Sequence, residues 1–245
     1  MTILSAFIDI LFPPVCLLCG RFLWNDPVLV MDKRIDFCKE CYGSFKWIMG
    51  PVCPSCGRPY PEDSGPDHLC EDCILRPPFY DLITAPFIFE GPLMDAVHRL
   101  KYSGKSHFAK SLGPLLASFV RENLYFPETP VIMPVPLHPK RLRERGFNQS
   151  LLLARCVAKQ LEAELDYLSL SRVKFTTPQT TLSRQERLKN LHRAFFLQRP
   201  EVVRGRIVVL VDDVATTGTT FNECAKVLKK AGAAEVLCVA LARAV

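Results

Sequence analysis

Two adjacent acids, Asp212 and Asp213, end the apolar run Ile207-Val208-Val209-Leu210-Val211 and lead into Val214-Ala215-Thr216-Thr217-Gly218-Thr219-Thr220. The run has the composition of a strand buried on both faces, and the residues after the acids read as a turn and then a helix start. Small hydroxyl residues, one glycine and the amides of a helix N-terminus make a phosphate cradle. The acids sit at the carboxyl end of the strand, where open α/β sheets bind their ligands. Carboxylates repel a neighbouring phosphate, so they must face hydroxyls or a metal ion instead. Phosphate on one side and a diol on the other describe a ribose 5-phosphate.

A second chemistry lies in the cysteines. Of the 11 in the chain, eight form four Cys-x-x-Cys pairs within the first 73 residues: Cys16/Cys19, Cys38/Cys41, Cys53/Cys56 and Cys70/Cys73. Each tight turn aims two thiolates at one ion, and two turns complete a tetrahedron, which is the pattern of structural zinc. Disulfides are the competing use of such pairs, and a reducing compartment disfavours them. The first and third pairs read Cys-x-x-Cys-Gly-Arg, while the second and fourth enclose charged residues, Lys39-Glu40 and Glu71-Asp72. A unit of one knuckle of each type thus occurs twice. This repeat favours Cys16, Cys19, Cys38 and Cys41 on one zinc and Cys53, Cys56, Cys70 and Cys73 on another. A cross-braced pairing, first pair with third and second with fourth, is the alternative. With every ligand a cysteine there is no open coordination position, so both zincs are structural. Cys156, Cys224 and Cys238 fall in apolar patterns and read as buried bystanders.

The elements that must position these groups begin after Pro77-Pro78. Asp81–Glu90 is strand-like, and Gly91–Tyr102 and Phe108–Leu124 have helical spacing. Val131–Pro136 reads as a buried strand, and a long helix carries Leu151, Leu152, Cys156, Val157, Leu161 and Leu165. Tyr167–Leu170 reads as a short strand. The strand before the acids, a helix to Lys230 and a last strand over Val236–Leu241 complete the pattern. Alternating strands and helices predict a parallel sheet with right-handed crossovers. The exit of the Val131 strand, Pro136-Leu137-His138, leads to Lys140, Arg141, Arg143 and Arg145, four cations within six residues. A polar stretch with Thr176, Thr177, Pro178, Gln179, Arg184, Arg187 and Asn190 has the make-up of an active-site lid.

The chain's 245 residues allow a large domain and a small one, divided as 1–78 and 79–245. A net charge of +6 permits phosphate or nucleic-acid ligands without demanding them. Met1–Phe12 is apolar but carries Asp9, lacks a basic start and stops at Pro13-Pro14. That argues against a secretory signal or a membrane span and for a short amphipathic helix on Ile3, Leu4, Phe7, Ile8 and Leu11. A cytoplasmic location is the expectation.

The Asp212–Thr219 stretch resembles the phosphoribosyl pyrophosphate (PRPP) loop of type I phosphoribosyltransferases. That resemblance implies that Asp212 and Asp213 hold the ribose hydroxyls and that Ala215, Thr216, Thr217, Gly218 and Thr219 hold the 5-phosphate. It also implies that the loop from Pro136, Leu137 and His138 through Lys140, Arg141, Arg143 and Arg145 holds the leaving pyrophosphate. The double Cys-x-x-Cys units, Lys101-Tyr102, Pro136-Leu137-His138, Arg145-Gly146-Phe147-Asn148-Gln149, Thr177-Pro178-Gln179 and Val211–Gly218 together look like the ComF family. The resemblance covers nearly the whole chain. It implies an α/β parallel-sheet type I phosphoribosyltransferase fold with an N-terminal double zinc ribbon, two structural Zn²⁺, and Mg²⁺ with PRPP or a related ribose phosphate. For the competence members it further implies DNA uptake, single-stranded DNA, and helicase or other DNA-processing partners. DNA would contact either the zinc head or the basic loop. Thr216 stands where many purine-salvage relatives carry an acid, which argues against a purine acceptor. An active transferase and a catalytically inactive adaptor that binds single-stranded DNA or nucleotide are the two readings.

Overall fold

The apolar run before the acid pair is a central strand, and the parity of its residues sorts the core. The computed structural model describes residues 13–24, 27–61, 64–101, 106–174 and 194–245. The expected N-terminal helix, Tyr102 and the polar stretch from Thr176 to Asn190 lie outside the described residues. The strands are β1 (Val28–Val30), β2 (Lys33–Ile35), β3 (Leu82–Thr84), β4 (Phe87–Ile88), β5 (Val131–Pro134), β6 (Glu164–Leu165), β7 (Leu170–Arg172), β8 (Phe195–Leu197), β9 (Ile207–Ala215) and β10 (Glu235–Arg243). The helices are α1 (Lys39–Gly43), α2 (Glu71–Leu75), α3 (Gly91–Lys101), α4 (Phe108–Asn123), α5 (Pro139–Arg145), α6 (Gln149–Gln160) and α7 (Thr219–Lys230). Among the described residues no helix is long and apolar enough to cross a membrane.

The main sheet runs β3-β10-β9-β5-β6, with β4 also on β10, and all of its pairings are parallel. Ile207, Val209 and Val211 of β9, with Leu237, Val239 and Leu241 of β10, pack against apolar faces of α3, α4 and α6. Val208 and Leu210, with Val236, Cys238 and Ala240, pack against Phe221, Cys224, Ala225 and Leu228 of α7. Period-two alternation in a strand covered on both sides produces this division. It also sends Asp212 and Asp213 to different sides of the sheet edge.

The long helix expected through Leu165 ends at Gln160. Glu162 adopts φ 51°, and the Ala163 amide bonds back to the Ala158 carbonyl at 2.9 Å, which turns the chain out of the helix. Leu165 then lies in β6, paired with Ile132 of β5. The strand expected over Tyr167–Leu170 starts only at Leu170. Asp166 instead accepts from the Leu168 and Ser169 amides, both at 2.9 Å, and makes that stretch a turn. β7 and β8 pair antiparallel, Leu170 opposite Leu197 and Arg172 opposite Phe195.

The cysteine-rich segment is sewn to the open edge of the main sheet. The Ile88 amide donates to the Lys46 carbonyl and the Ile48 amide to the Pro86 carbonyl, both at 2.8 Å, while the Ile83 amide donates to the Ser55 carbonyl at 2.7 Å. An exposed edge invites pairing with another chain, and here the knuckles cover it. Phe87 on that edge is fully buried, with its ring 5.6 Å from Phe45 and 4.4 Å from Trp47. Gly57 is needed for the approach, because a Cβ there would come within 2.3 Å of the Ile83 carbonyl oxygen.

Candidate functional site

The eight cysteine thiols gather into two groups of four, Cys16/Cys19/Cys38/Cys41 and Cys53/Cys56/Cys70/Cys73, with the sulfurs of each group within 4.8 Å of one another. The pairing is the sequential one. Cys19 and Cys38 sulfurs are 3.8 Å apart, and Cys56 and Cys70 sulfurs 3.6 Å. A tetrahedron with Zn–S bonds of about 2.3 Å has an edge of about 3.8 Å, so both groups fit zinc, whereas a disulfide needs about 2.05 Å. The internal repeat extends to the backbone. In the first unit the Cys16 amide bonds to the Arg21 carbonyl at 2.7 Å and the Gly20 amide to the Cys16 carbonyl at 2.9 Å. In the second, Cys53 bonds to Arg58 at 2.9 Å and Gly57 to Cys53 at 2.8 Å. Burial opposes ionisation of the Cys16 and Cys53 thiols, yet amide donors outweigh it and hold both lowered to about 7. Thiolates so prepared are metal ligands. The two groups are structural zinc-ribbon sites.

The other chemistry gathers at the carboxyl end of the sheet. Pro134, the last residue of β5, lies opposite Val211 of β9, so β5 ends next to the acid pair while β9 continues along β10 to Ala215. Asp212 Oδ1 accepts from Ser150 Oγ at 2.7 Å and from the Asp213 amide at 2.8 Å. Asp213, 4% exposed, holds Oδ2 3.0 Å from Lys101 Nζ. This is a contact of charge, since Asp213 Oδ2 takes no aligned hydrogen bond among the described residues. Burial first, and then the Asp213 charge, raise the Asp212 carboxyl to about 7, while Ser150, the Asp213 amide and Lys101 pull the other way.

Beyond the acids, Thr216 and Thr217 are exposed and Gly218 turns left-handed at φ 74° to open α7. A Cβ on Gly218 would stand 3.0 Å from Ile83 Cδ1 and 3.1 Å from the Tyr80 hydroxyl. Thr217 and Thr219 hydroxyls are 2.7 Å apart, and the Thr219 amide reaches Thr217 Oγ1 at 3.4 Å. Ala215 is buried beneath this loop.

On the β5 side, Pro136, Leu137 and His138 are half-buried. His138 caps α5, its Nδ1 accepting from the Lys140 amide at 3.2 Å. Lys140 and Arg143 are exposed, and Arg141 and Arg145 half-buried. The Arg145–Gln149 element binds the two loops together. Arg145 donates to Gln149 Oε1 at 3.0 Å, Gly146 ends α5 at φ 79°, and Asn148 Nδ2 donates to the Val135 carbonyl at 3.1 Å while its Oδ1 caps α6. The next residue is Ser150, on Asp212. One short segment therefore spans from the exit of β5 to the acid pair.

Sequence reasoning gave four site residues no role, although it quoted Lys101 in the family pattern. Lys101 and Ser150 hold the acids. Arg172, at the end of β7, lies over the Phe195 ring at 5.6 Å; burial lowers its pKa, Arg141 adds to that and Asp212 opposes it. Arg243, 5% exposed at the end of β10, donates from Nε to the Cys56 carbonyl at 3.1 Å and from Nη1 to the carbonyls of Ala215 at 3.0 Å and Ala244 at 3.2 Å. It joins the second zinc unit to the base of the phosphate loop. A cationic residue closing a strictly apolar strand, Val236–Ala242, is the only signal the sequence offered for it.

Comparison with known proteins finds both kinds of site. A double zinc ribbon domain matches residues 7–74, and a phosphoribosyl transferase domain matches residues 148–244. The chain is 38% identical over 227 residues to DNA utilization protein YhgH of Salmonella typhi, covering 91% of this chain and 94% of that protein. It is 32% identical over 223 residues to Competence protein F of Haemophilus influenzae, covering 84% and 96%. It is 28% identical over 232 residues to Competence protein ComFC of Bacillus subtilis, covering 90% of each. With 38% and 32% identity over most of both chains, the chain belongs to the ComF family.

Proposed function

We propose that this chain binds PRPP with Mg²⁺ at the carboxyl end of its sheet, and that it serves the handling of DNA taken up by the cell. The observation that carries the first part is the acid pair. Asp212 and Asp213 are held by Ser150 and Lys101 directly before a loop of threonines and a left-handed glycine. The reaction class is displacement of pyrophosphate from ribose C1 by an incoming nucleophile. Asp212 and Asp213 accept from the ribose hydroxyls, residues Ala215 to Thr219 hold the 5-phosphate, and the Pro136–His138 exit with Lys140, Arg141, Arg143 and Arg145 takes the pyrophosphate end. Positioning and charge do the work in such a site, without a covalent intermediate. The donors fit Mg²⁺: they are hard oxygens, and buried Asp213 Oδ2 already faces a cation. Asp212 and Asp213 are the carboxylates that would hold Mg²⁺ here, and it would supply neutralising charge to the leaving pyrophosphate.

The names of the relatives, a DNA utilization protein and two competence proteins, support the DNA role. Titration calorimetry with PRPP, with and without Mg²⁺, tests the binding. Asp213→Asn should weaken it by about 1–3 kcal/mol, the range for a hydrogen bond to a charged group. Equal affinity in variant and parent removes the assignment.

A second reading has its own observation: Lys140 and Arg143 stand exposed on α5, the helix that follows β5. In this reading the chain is an adaptor that binds single-stranded DNA alongside helicase or other DNA-processing partners, and does no chemistry. PRPP that competes with DNA in fluorescence anisotropy places both on the basic loop. DNA binding untouched by PRPP moves it to the zinc ribbons, and no binding even at low salt ends the adaptor reading.

A further inference from the structure

The phosphate loop has a second side. A cleft of about 610 Å³ lies between it and the second zinc unit. Thr216, Thr217 and Gly218 form one wall, Arg58 and Arg76 stand on the other, and Pro77, Pro78, Tyr80 and Arg243 also line it. Asp212, Asp213 and Lys101 do not line it. A ligand with its diol on the acids and its 5-phosphate on the loop therefore presents the far side of that phosphate to the cleft.

Guanidinium groups line the cleft. Arg58, Arg76 and Arg243 line the cleft together with Asp72, which stands 4.0 Å from Arg58, and with Cys56, Cys70 and Cys73 of the second sulfur cluster. The buried Arg243 donates to carbonyls of Cys56, Ala215 and Ala244, which places its charge between the second zinc unit and the loop. A single phosphate is already accommodated by the loop itself and needs no space of this size. Volumes of about 300–1,000 Å³ are those of small-molecule sites. The prolines offer an apolar surface beyond the guanidinium groups, the arrangement that suits a diphosphate followed by a nucleoside.

We infer that the site accepts ribose 5-phosphates extended at the 5-phosphate, of the nucleoside diphosphate-ribose class, with the second phosphate between Arg58 and Arg76 and the nucleoside against Pro77 and Pro78. The inference rests on the proposed binding of a ribose 5-phosphate at the acid pair and names a wider ligand class for it.

Calorimetry on the zinc-loaded full chain, with ribose 5-phosphate and ADP-ribose as probes, tests it. ADP-ribose should bind about tenfold tighter than ribose 5-phosphate, the gain of one charge-assisted contact. An Arg58→Ala/Arg76→Ala variant should lose that advantage and keep its affinity for ribose 5-phosphate. Metal content and thermal midpoint serve as folding controls, and the single change Arg76→Gln, at an exposed position, repeats the test should the double variant fail them. Ribose 5-phosphate that binds while ADP-ribose binds no tighter overturns the inference and leaves the proposed function standing. An advantage that survives both variants overturns it as well. If neither probe binds, the ribose phosphate reading itself fails, and the inference with it.

Discussion

Asp212 makes ligand binding depend on pH in a defined direction. Its carboxyl is raised to about 7 by burial and by Asp213, against the pull of Ser150 and Lys101. Arg172 adds attraction from the end of β7. A ribose diol is held by the ionised form, so the proton must leave before binding. From about pH 8 to about pH 6 the ionised fraction falls from roughly nine-tenths to one-tenth, and the apparent Kd for PRPP should rise about tenfold, or ~1.4 kcal/mol. Calorimetry across this range reads it directly. The ligand's own phosphate titrates near pH ~6, so the Asp212→Asn variant supplies the control: it binds more weakly at high pH and keeps only the ligand's slope. Ser150→Ala removes a bond that favours the ionised form and should move the fall to higher pH by up to about one unit. A flat Kd in the parent, or the same slope in parent and Asp212→Asn, refutes the reasoning. Stability depends on the same proton. An acid raised above its unfolded value of about 3.9 favours the fold fully below that pH and loses this contribution as pH climbs to about 7. Asp212→Asn should therefore stabilise the ligand-free chain at about pH 8, with a ceiling of about 4 kcal/mol, and change little near pH 4.

The other groups give sharper single measurements. Metal analysis of Cys38→Ser should show one zinc lost and the second retained, because Cys38 shares its sulfur cluster only with Cys16, Cys19 and Cys41; loss of both metals contradicts independent sites. Arg243→Met strips donors from the buried Cys56 and Ala215 carbonyls and should cost about 2–4 kcal/mol in urea unfolding; an effect below ~0.5 kcal/mol would show that the bridge between zinc unit and phosphate loop is not needed. Arg141→Ala with Arg143→Ala should flatten the salt dependence of single-stranded DNA binding by about one unit, given a slope of about −0.7 per phosphate, and an unchanged slope places the DNA off α5.

The sequence carried the acid pair, the knuckles and the order of the large elements, because each is local. Ile207–Val211 could be read as a strand buried on both faces, and its residues do divide between two helical layers. The knuckle repeat favoured the sequential pairing, which the two sulfur groups show, because each unit closes within its own backbone turns. What could not be read is what parallel crossovers bring together. Ser150 reaches Asp212 across 62 positions, and Arg243 reaches Cys56 across 187. No local pattern encodes such distances. The early end of α6 escapes the sequence for a different reason. Leu161 and Leu165 are four apart, which suits a helical face, but Glu162 at φ 51° breaks the helix, a backbone choice that spacing cannot reveal.

The knuckles do more here than substitute for a small core. Backbone bonds from residues 46–48 and 55 cap the sheet edge formed by β3 and β4, and β10 lies next to that edge. β10 ends in Arg243, and Arg243 holds the carbonyl at which β9 gives way to the phosphate loop. One guanidinium thus links Ala215 to the second zinc unit, beside the Ala244–Ala215 and Ile83–Ser55 backbone bonds. A buried cation bonded to carbonyls is costly to desolvate, and only a fixed geometry on both sides recovers that cost. Metal at the second cluster fixes one side and the central sheet fixes the other. Zinc binding and the shape of the phosphate loop should accordingly rise and fall together at the second site, while the first cluster, seated over the opposite helical layer, leaves the loop alone.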